Sequence, residues 1–587
     1  MRIVLHREIP EDPALRYQWN KIVFQMERPQ VFYTWEWAFA LQSAYRASLK
    51  PLLFLGYEGD ELRGVASLAA DVTEQNINFL AAATSDYCEF FCHPDYRRQL
   101  IDAVLVELRK IGGESLAMAS IPEDSPTVAA LRDAAPVQGY RIFSRSAQVS
   151  AQVILGSGEP RRRLKETVLG KRMLLRNLRG LEREGPITVT HLQSRGELEA
   201  NLPNFIRAHV ARFLVTQRIS NLTWPERRHF LAELARLLSD AGWLFLSCLN
   251  AGEHVVAWNY GFRFSGSWFW YQPTFESQRE THSPGFCLLS KIVGEACDAS
   301  DLNVVDLGVG AEGYKERFSN GTRRTLDFSL NRFSSRHRRL IARYWTARAI
   351  KALPKVESAI RSCIRRLDSA RACFQAAGPN GLLGRGAKRL RSRISRRDEV
   401  FFYEWVGNVS ARQNLAGMEV KSLDLATLAE SAISHVSDTE TMSYLLRATQ
   451  RLYREGGSGF TLVNADLVPV HYCWVSDFEG FYINELKVRL AAPRMNAVMI
   501  FDCWTPRSAR GHGYYGLAIS WVAQHLCSAG KVPWIFGAAQ NTPSVRGIEK
   551  AGFQRRYSMI RRRVLFWQGL RILPSAVSPA AEAPVGS

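Results

Sequence analysis

No apolar stretch in this chain approaches the ~18–20 residues that a helix needs to cross a bilayer. The opening MRIVLHREIPEDP has acids and a proline where a secretory leader would carry its apolar core, so a soluble, cytoplasmic protein is expected. Cysteine is sparse, ten in 587 residues, with no CxxC pair and no Cys/His set at zinc spacing. Cys88, Cys92 and His93 come closest, but two thiols and one imidazole lack a fourth ligand nearby, so no metal is expected. A chain of this length should hold several domains, because one core rarely serves beyond ~250–300 residues.

What is present is most legible in NAVMIFDCWTPRSARGHGYYG, residues 496–516. Ala497 to Phe501 reads as a buried strand, a turn with Pro506, Gly511 and Gly513 follows, and Leu517, Ile519, Trp521, Val522 and Leu526 recur at helical spacing. A strand, a glycine turn and a helix start aim backbone N–H groups and a helix dipole at one point, which attracts an anion such as a phosphate. Downstream come a strand over Val532 to Ala538, then Asn541, Ser544 and a closing Gly552-Phe553.

Those residues resemble the GNAT acyltransferase superfamily, whose cofactor motif is Arg/Gln-x-x-Gly-x-Gly/Ala. Arg510 and Gly513 match it, and Tyr515 stands where the last small residue is usual. The resemblance implies an acyl-CoA donor, most simply acetyl-CoA, held by Arg510, Gly511, His512, Gly513, Tyr514 and Asn541. The family's tyrosine general acid would fall at Ile548, so either Tyr514 or Tyr515 substitutes or direct attack needs no enzyme acid, with Asp502 and Glu485 (placed on the preceding strand) as proton relays.

Residues 1–155 read as mixed α/β, with a hairpin around Gly59-Asp60 and a Ser85-Asp86-Tyr87 loop. No glycine turn precedes their helix, Tyr96 to Lys110, so this part reads as a structural partner. Residues 156–330 repeat the order: a basic helix near Lys171 to Arg183, two more helices, three antiparallel strands, then Ser283-Pro284-Gly285 opening a helix. Ser283 and Gly285 stand where a phosphate loop would stand.

This block resembles the CelD-like acetyltransferases of exopolysaccharide and cellulose gene clusters, through Ser85-Asp86-Tyr87, the basic helix, Ser-Pro-Gly, and Asp306, Gly308, Gly310, Tyr314 and Lys315. It implies two GNAT-like units side by side, an arrangement also seen in FemAB-type aminoacyl transferases. Asp306, Glu312, Tyr314 and Lys315 are its candidate chemical groups, with Asp306 equally readable as a loop anchor.

The expected fold class is therefore α/β with mixed sheets: three GNAT-like units, 1–155, 156–330 and 400–568, the first two paired. A basic helical connector spans 331–399 and a disordered tail 569–587. Residues 331–398 hold 19 Lys plus Arg against three acids, most of the chain's net +20. A solvated connector, an anionic membrane surface, and RNA or another polyanion all fit such a stretch. The functional expectation is acyl-CoA-dependent transfer to an amine or hydroxyl of a sugar or envelope precursor. The alternatives are a FemAB-like transferase using aminoacyl-tRNA, or a degenerate scaffold carrying one active C-terminal unit.

Overall fold

The computed structural model describes residues 1–71, 76–310, 313–351, 395–407, 417–564 and 567–574. Glu312, most of the basic stretch and residues 575–587 lie outside the described residues, whereas 569–574, read from the sequence as disordered tail, belong to a strand paired in the sheet of the second unit. The chain divides into two compact units, Met1–Arg212 with Trp224–Ala349, and Phe213–Thr223 with Ile350–Ser587.

In the first unit the N-terminal half builds β1 (Arg2–His6), β2 (Lys50–Glu58), β3 (Glu61–Ala70), β4 (Ile77–Phe79), β5 (Phe91–Cys92), β6 (Ser115–Pro122) and β7 (Arg141–Ile154). Its helices are α1 (Pro13–Phe24), α2 (Trp35–Ala44), α3 (Arg97–Lys110) and α4 (Pro126–Val137). Local chemistry sets their ends. Asp12, Thr34 and Ser125 accept N-cap hydrogen bonds, and Pro13 and Pro126 occupy first-turn positions where no N–H is needed. The β2–β3 hairpin turns at Gly59, whose φ of 61° a glycine reaches without strain.

The second half adds α5 (Gly158–Leu169), α6 (Arg172–Leu181), β8 (Ile187–Leu192), α7 (Arg195–Val215), α8 (Pro225–Ser239) and β9 (Leu244–Ala251). It continues with β10 (His254–Phe264), β11 (Ser267–Phe275), α9 (Pro284–Asp298), β12 (Val304–Val309), β13 (Gly321–Asn331) and α10 (Ser334–Lys351). Both halves share one mixed sheet, in the order β1-β2-β3-β4-β6-β13-β7-β12-β11-β10-β9-β8, with β5 paired to β3. The halves exchange strands: β13, the last strand of this unit, pairs β6 of the first half, while β7 pairs β12 of the second. Each half keeps its own core, around Leu105 and Phe90 in one and Leu289 and Val293 in the other.

An aromatic cluster joins them. Buried Trp37 on α2 lies 5.3 Å from Phe230, 5.5 Å from Phe262 and 5.6 Å from Tyr271, all edge-on. Each such pair contributes about 0.5–1.5 kcal/mol beyond area burial.

The second unit is an eight-stranded sheet, β15-β16-β17-β20-β21-β14-β22-β23. Its strands are β14 (Ser395–Trp405), β15 (Glu419–Ser422), β16 (Ser458–Val463), β17 (Pro469–Asp477), β20 (Ala497–Trp504), β21 (Val532–Ala538), β22 (Phe553–Val564) and β23 (Trp567–Pro574). A separate two-stranded ribbon consists of β18 (Tyr482–Ile483) and β19 (Val488–Arg489). β14 begins at Ser395, inside the stretch read from sequence as helical connector, and sits between β21 and β22. The mixed α/β class is as expected, and the fold repeats a strand–helix–parallel-strand motif three times.

Candidate functional site

The three repeats are β4–α3–β6, β11–α9–β12, and β20, the helix Tyr514–Ser528 and β21. In each, the parallel pairing is short and then the strands part: two residue pairs for β4/β6, three for β11/β12, four for β20/β21. A parted strand pair leaves backbone N–H and C=O groups that need partners, so what fills each gap decides what it can do.

In the first half the chain fills its own gap. Asn78 Oδ1 accepts from Ala119 N at 3.3 Å, and Cys88 N donates to Ser120 O at 3.0 Å. The filling segment is anchored by a turn in which Ser85 N and Oγ both donate to Ala81 O at 2.9 Å. That turn carries Asp86 and Tyr87 away from their own strands and into the second half.

There they meet β12. The strand bulges between Asp306 and Val309, and Gly308 takes φ 71°. A Cβ at Gly308 would stand 2.7 Å from Asp86 Oδ2, so glycine is what admits the carboxylate to the backbone. The buried Asp306 carboxylate accepts three hydrogen bonds at 2.8 Å: Tyr87 OH and Gln152 Nε2 on Oδ2, Gly308 N on Oδ1. Buried Lys315 donates through Nζ to Val309 O at 2.8 Å and Gly308 O at 3.4 Å. Arg323, on β13, places its guanidinium carbon 4.6 Å from the Tyr87 ring centre. Beyond Asp86, Arg227 Nη2 donates at 2.7 Å to Tyr271 OH, which in turn donates to Thr84 O.

Two carboxylates in one partly dry place cannot both ionise freely. Burial, and then the charge of Asp306, push the Asp86 carboxyl up to about 7, against the pull of Lys315, the Val309 N–H and Arg227. Asp86 therefore changes charge near neutral pH, where a proton acceptor is most useful. Burial also drives the Tyr87 phenol well above its ordinary value, leaving it a hydrogen-bond donor to Asp306. Ser283 and Gly285 open α9 beside β11: Ser283 is left-handed at φ 46° without a side-chain cap bond, and a Cβ on Gly285 would meet Phe275 at 3.2 Å.

The gap in the second unit is lined differently. Asp502 sits in a bulge of β20 at φ 46°, its carboxylate 2.6 Å from Arg451 Nη1. Arg510 donates through Nε to Thr505 O at 3.0 Å and lies 3.5 Å from Glu440, so its guanidinium fastens its own loop. Gly511 and Gly513 have φ 87° and 79°, and His512 stacks on Tyr514 at 5.4 Å. Tyr515 lies within hydrogen-bond distance of Ser544, 3.0 Å, and burial holds its phenol well above the usual range. Asn541 caps the helix Thr542–Lys550 through Ser544 N at 3.3 Å. Glu485 is not on a strand of the main sheet. It is exposed in the turn between β18 and β19, where a carboxylate is solvated like any surface acid. His471, buried against Tyr515, is held neutral by burial, its pKa lowered to about 3.

Residues 170–316 match the family described as an acetyltransferase (GNAT) domain. That stretch is therefore similar to a GNAT acetyltransferase domain. It contains Asp306, Lys315, Ser283 and Gly285, but not Asp86. A comparison with curated proteins finds no match. Among solved structures, FemX is 9% identical with a TM-score of 0.37, covering 55% of this chain and 97% of its own. L-PGS from Bacillus licheniformis is 14% identical at 0.32, covering 50% and 91%. A tandem GNAT protein from the clavulanic acid biosynthesis pathway is 10% identical at 0.30, covering 56% and 98%. Scores below 0.5 are too low to carry an argument.

The matched stretch thus receives from outside its own boundaries the groups that complete the cluster. Asp86 and Tyr87 stood out in the sequence as a loop and as part of the CelD-like resemblance, without a chemical role, and Gln152, Arg227, Tyr271 and Arg323 not at all. A signal that could have found Arg323 is the arginine pair Arg323-Arg324 inside a strand. Among the described residues no group of acidic, His and Cys side chains is arranged to hold a metal, and no helix is long and apolar enough to cross a membrane.

Proposed function

We propose that the protein transfers an acyl group from an acyl-CoA thioester to an amine or hydroxyl acceptor, and that the reaction takes place where Asp86 meets the bulge of β12. The Asp86–Asp306 pair supports this reading most, since it brings a base that titrates near 7 against Asp306, which lies within the GNAT-like stretch. An amine with pKa near 10 is mostly protonated at pH 7, and freeing its lone pair costs about 4 kcal/mol without help.

Asp86 takes the proton from the acceptor N–H or O–H. The freed lone pair attacks the thioester carbonyl, the C–S bond breaks, and the thiolate leaves to be protonated as the free thiol. Lys315 and Arg227 lower the cost of holding Asp86 ionised before the step. Tyr87, Gln152 and the Gly308 N–H keep Asp306 in place, and its charge keeps Asp86 basic.

The donor we favour is acetyl-CoA, with the Ser283–Gly285 helix start and the parted β11/β12 strands as its cradle. The acceptor class, a sugar or envelope precursor, rests on the resemblance of Ser85–Tyr87 and Asp306–Lys315 to CelD-like enzymes. In the second unit, Gly511–Tyr514 are proposed as a phosphate cradle without a base of its own.

Calorimetric titration of the full chain with acetyl-CoA and with tRNA tests the reading. Saturable binding of acetyl-CoA is expected. Binding of tRNA with a steep salt slope, and none of acetyl-CoA, would replace it with aminoacyl transfer.

A further inference from the structure

The helix α10 leaves the sheet with a surface that the acyl-transfer reading does not use. Between Ser334 and Lys351 it carries Arg336, Arg338, Arg339, Arg343, Arg348 and Lys351 and no acid. One side is spoken for. Ser334, His337, Leu340, Ile341 and Tyr344 are half-buried, the Tyr344 ring lies 5.3 Å from Phe143 on β7, and Arg336 is 3.4 Å from Glu114. The other side, with Arg338, Arg339 and Arg343, faces outward. Exposed aromatic residues stand toward both ends: Phe333, 49% exposed, precedes the helix, and Trp345 is 56% exposed with the Arg348 guanidinium carbon 5.7 Å from its ring centre.

We propose that this face of α10 docks the protein on an anionic phospholipid surface. The composition is that of an interfacial helix, cationic with aromatic anchors and no acids to repel lipid phosphates. Indole and guanidinium side by side suit the headgroup region, where an amphipathic ring sits at the boundary and the cation pairs with phosphate. A convex helix offers no groove in which a nucleic-acid strand could thread between stacking rings, which single-strand sites use. Docking also has a geometric consequence. The strand β13 joins the two places, with Arg323 at the site and Asn331 next to α10. Eight residues at ~3.3 Å each put the cluster about 26 Å from the helix. The proposal stands independently of the acyl-transfer reading.

Flotation of the full chain with vesicles tests it, comparing phosphatidylcholine alone with a mixture containing one-third phosphatidylglycerol. At least tenfold stronger partitioning onto the anionic vesicles is expected, falling as salt shortens the Debye length. Arg338→Glu/Arg339→Glu/Arg343→Glu should cost tenfold or more, and Trp345→Ser about threefold. All four residues are exposed, so the thermal melt should stay at the parent value. A parallel variant, Lys388→Glu/Arg389→Glu/Arg391→Glu, reads the contribution of downstream basic residues. Equal partitioning onto both vesicles would overturn the proposal. So would loss of binding in the downstream variant with the α10 variants unchanged, or α10 variants that lose binding to a single-stranded RNA while keeping the vesicles.

Discussion

The gaps between β11 and β12 and between β20 and β21 use one local grammar and end with different chemistry. Both follow a short parallel pairing, and both face a helix opened by a left-handed residue, Ser283 or Gly513. In the first, a carboxyl from a remote loop is pressed against a bulge and a second carboxylate, and titrates near 7. In the second, the one acid on the strand is paired at 2.6 Å with Arg451, and the nearby histidine is neutral and buried. A strand–turn–helix motif supplies a place for a donor. The reactive group comes from whatever else the fold brings to that place.

The sharpest way to break this comparison is to neutralise one acid in each gap. Asp86→Asn should lower acyl transfer by ~10²–10⁴, the usual worth of a positioned base. Asp502→Asn, which removes a salt-bridged surface partner, should leave transfer within about twofold. A reversed pattern, read from thiol release with a panel of amine and hydroxyl acceptors, would move the chemistry to the second unit.

Next in size is the aromatic cluster that holds the two halves of the first unit together. Trp37→Ala should destabilise that unit by about 3–5 kcal/mol, as large-to-small changes at buried aromatic positions do. Denaturant melts would show it, and a cost under 1 kcal/mol would mean the halves are held by the shared sheet alone.

Asp86 should also appear in stability. Its folded-state pKa, about 7, is raised from an ordinary 3.8, so folding favours the protonated form. That contribution is complete below about pH 4 and is lost as pH rises through about 7. A shift of about three units corresponds to at most about 4 kcal/mol. Asp86→Asn, permanently neutral, should therefore melt above the parent at pH 8 and alongside it at pH 4; parallel melting curves at both would contradict the burial of this acid.

The smallest effect is expected at the second cradle. Gly513→Glu places a side chain at φ 79°, where nothing lies within 4 Å of the new Cβ but the backbone is strained by about 1–2 kcal/mol. Gly513→Asn, which tolerates that conformation, separates strain from charge. Both should leave transfer within about threefold, and a tenfold loss in the Glu variant alone would assign the working donor site to this turn.

Much of this architecture was legible in the sequence. Apolar runs bounded by glycine turns marked β10, β11, β20 and β21, and Ser283-Pro284 marked the start of α9, because those signals are local. The exchange of β7 and β13 was not, since RIFSRSAQVSAQVI alternates weakly and its partners lie far along the chain. The strand β14 was hidden because Ser395-Arg396-Arg397 continues the preceding run of charge. Asp306 and Lys315 were named from the sequence, but their meeting with Asp86 and Tyr87 was not: Tyr87 and Asp306 are 219 residues apart, and no spacing rule connects them. Glu485 shows the converse error, an acid close in sequence to a motif strand but solvated in a turn.

The pH dependence of acyl transfer by the full chain tests the central claim most directly. If Asp86 is the base, log kcat/KM climbs with unit slope up to about pH 7 and then levels, since the acid must first lose its proton. A profile already flat between pH 5 and 8 would contradict the assignment of the reaction to the Asp86–Asp306 pair.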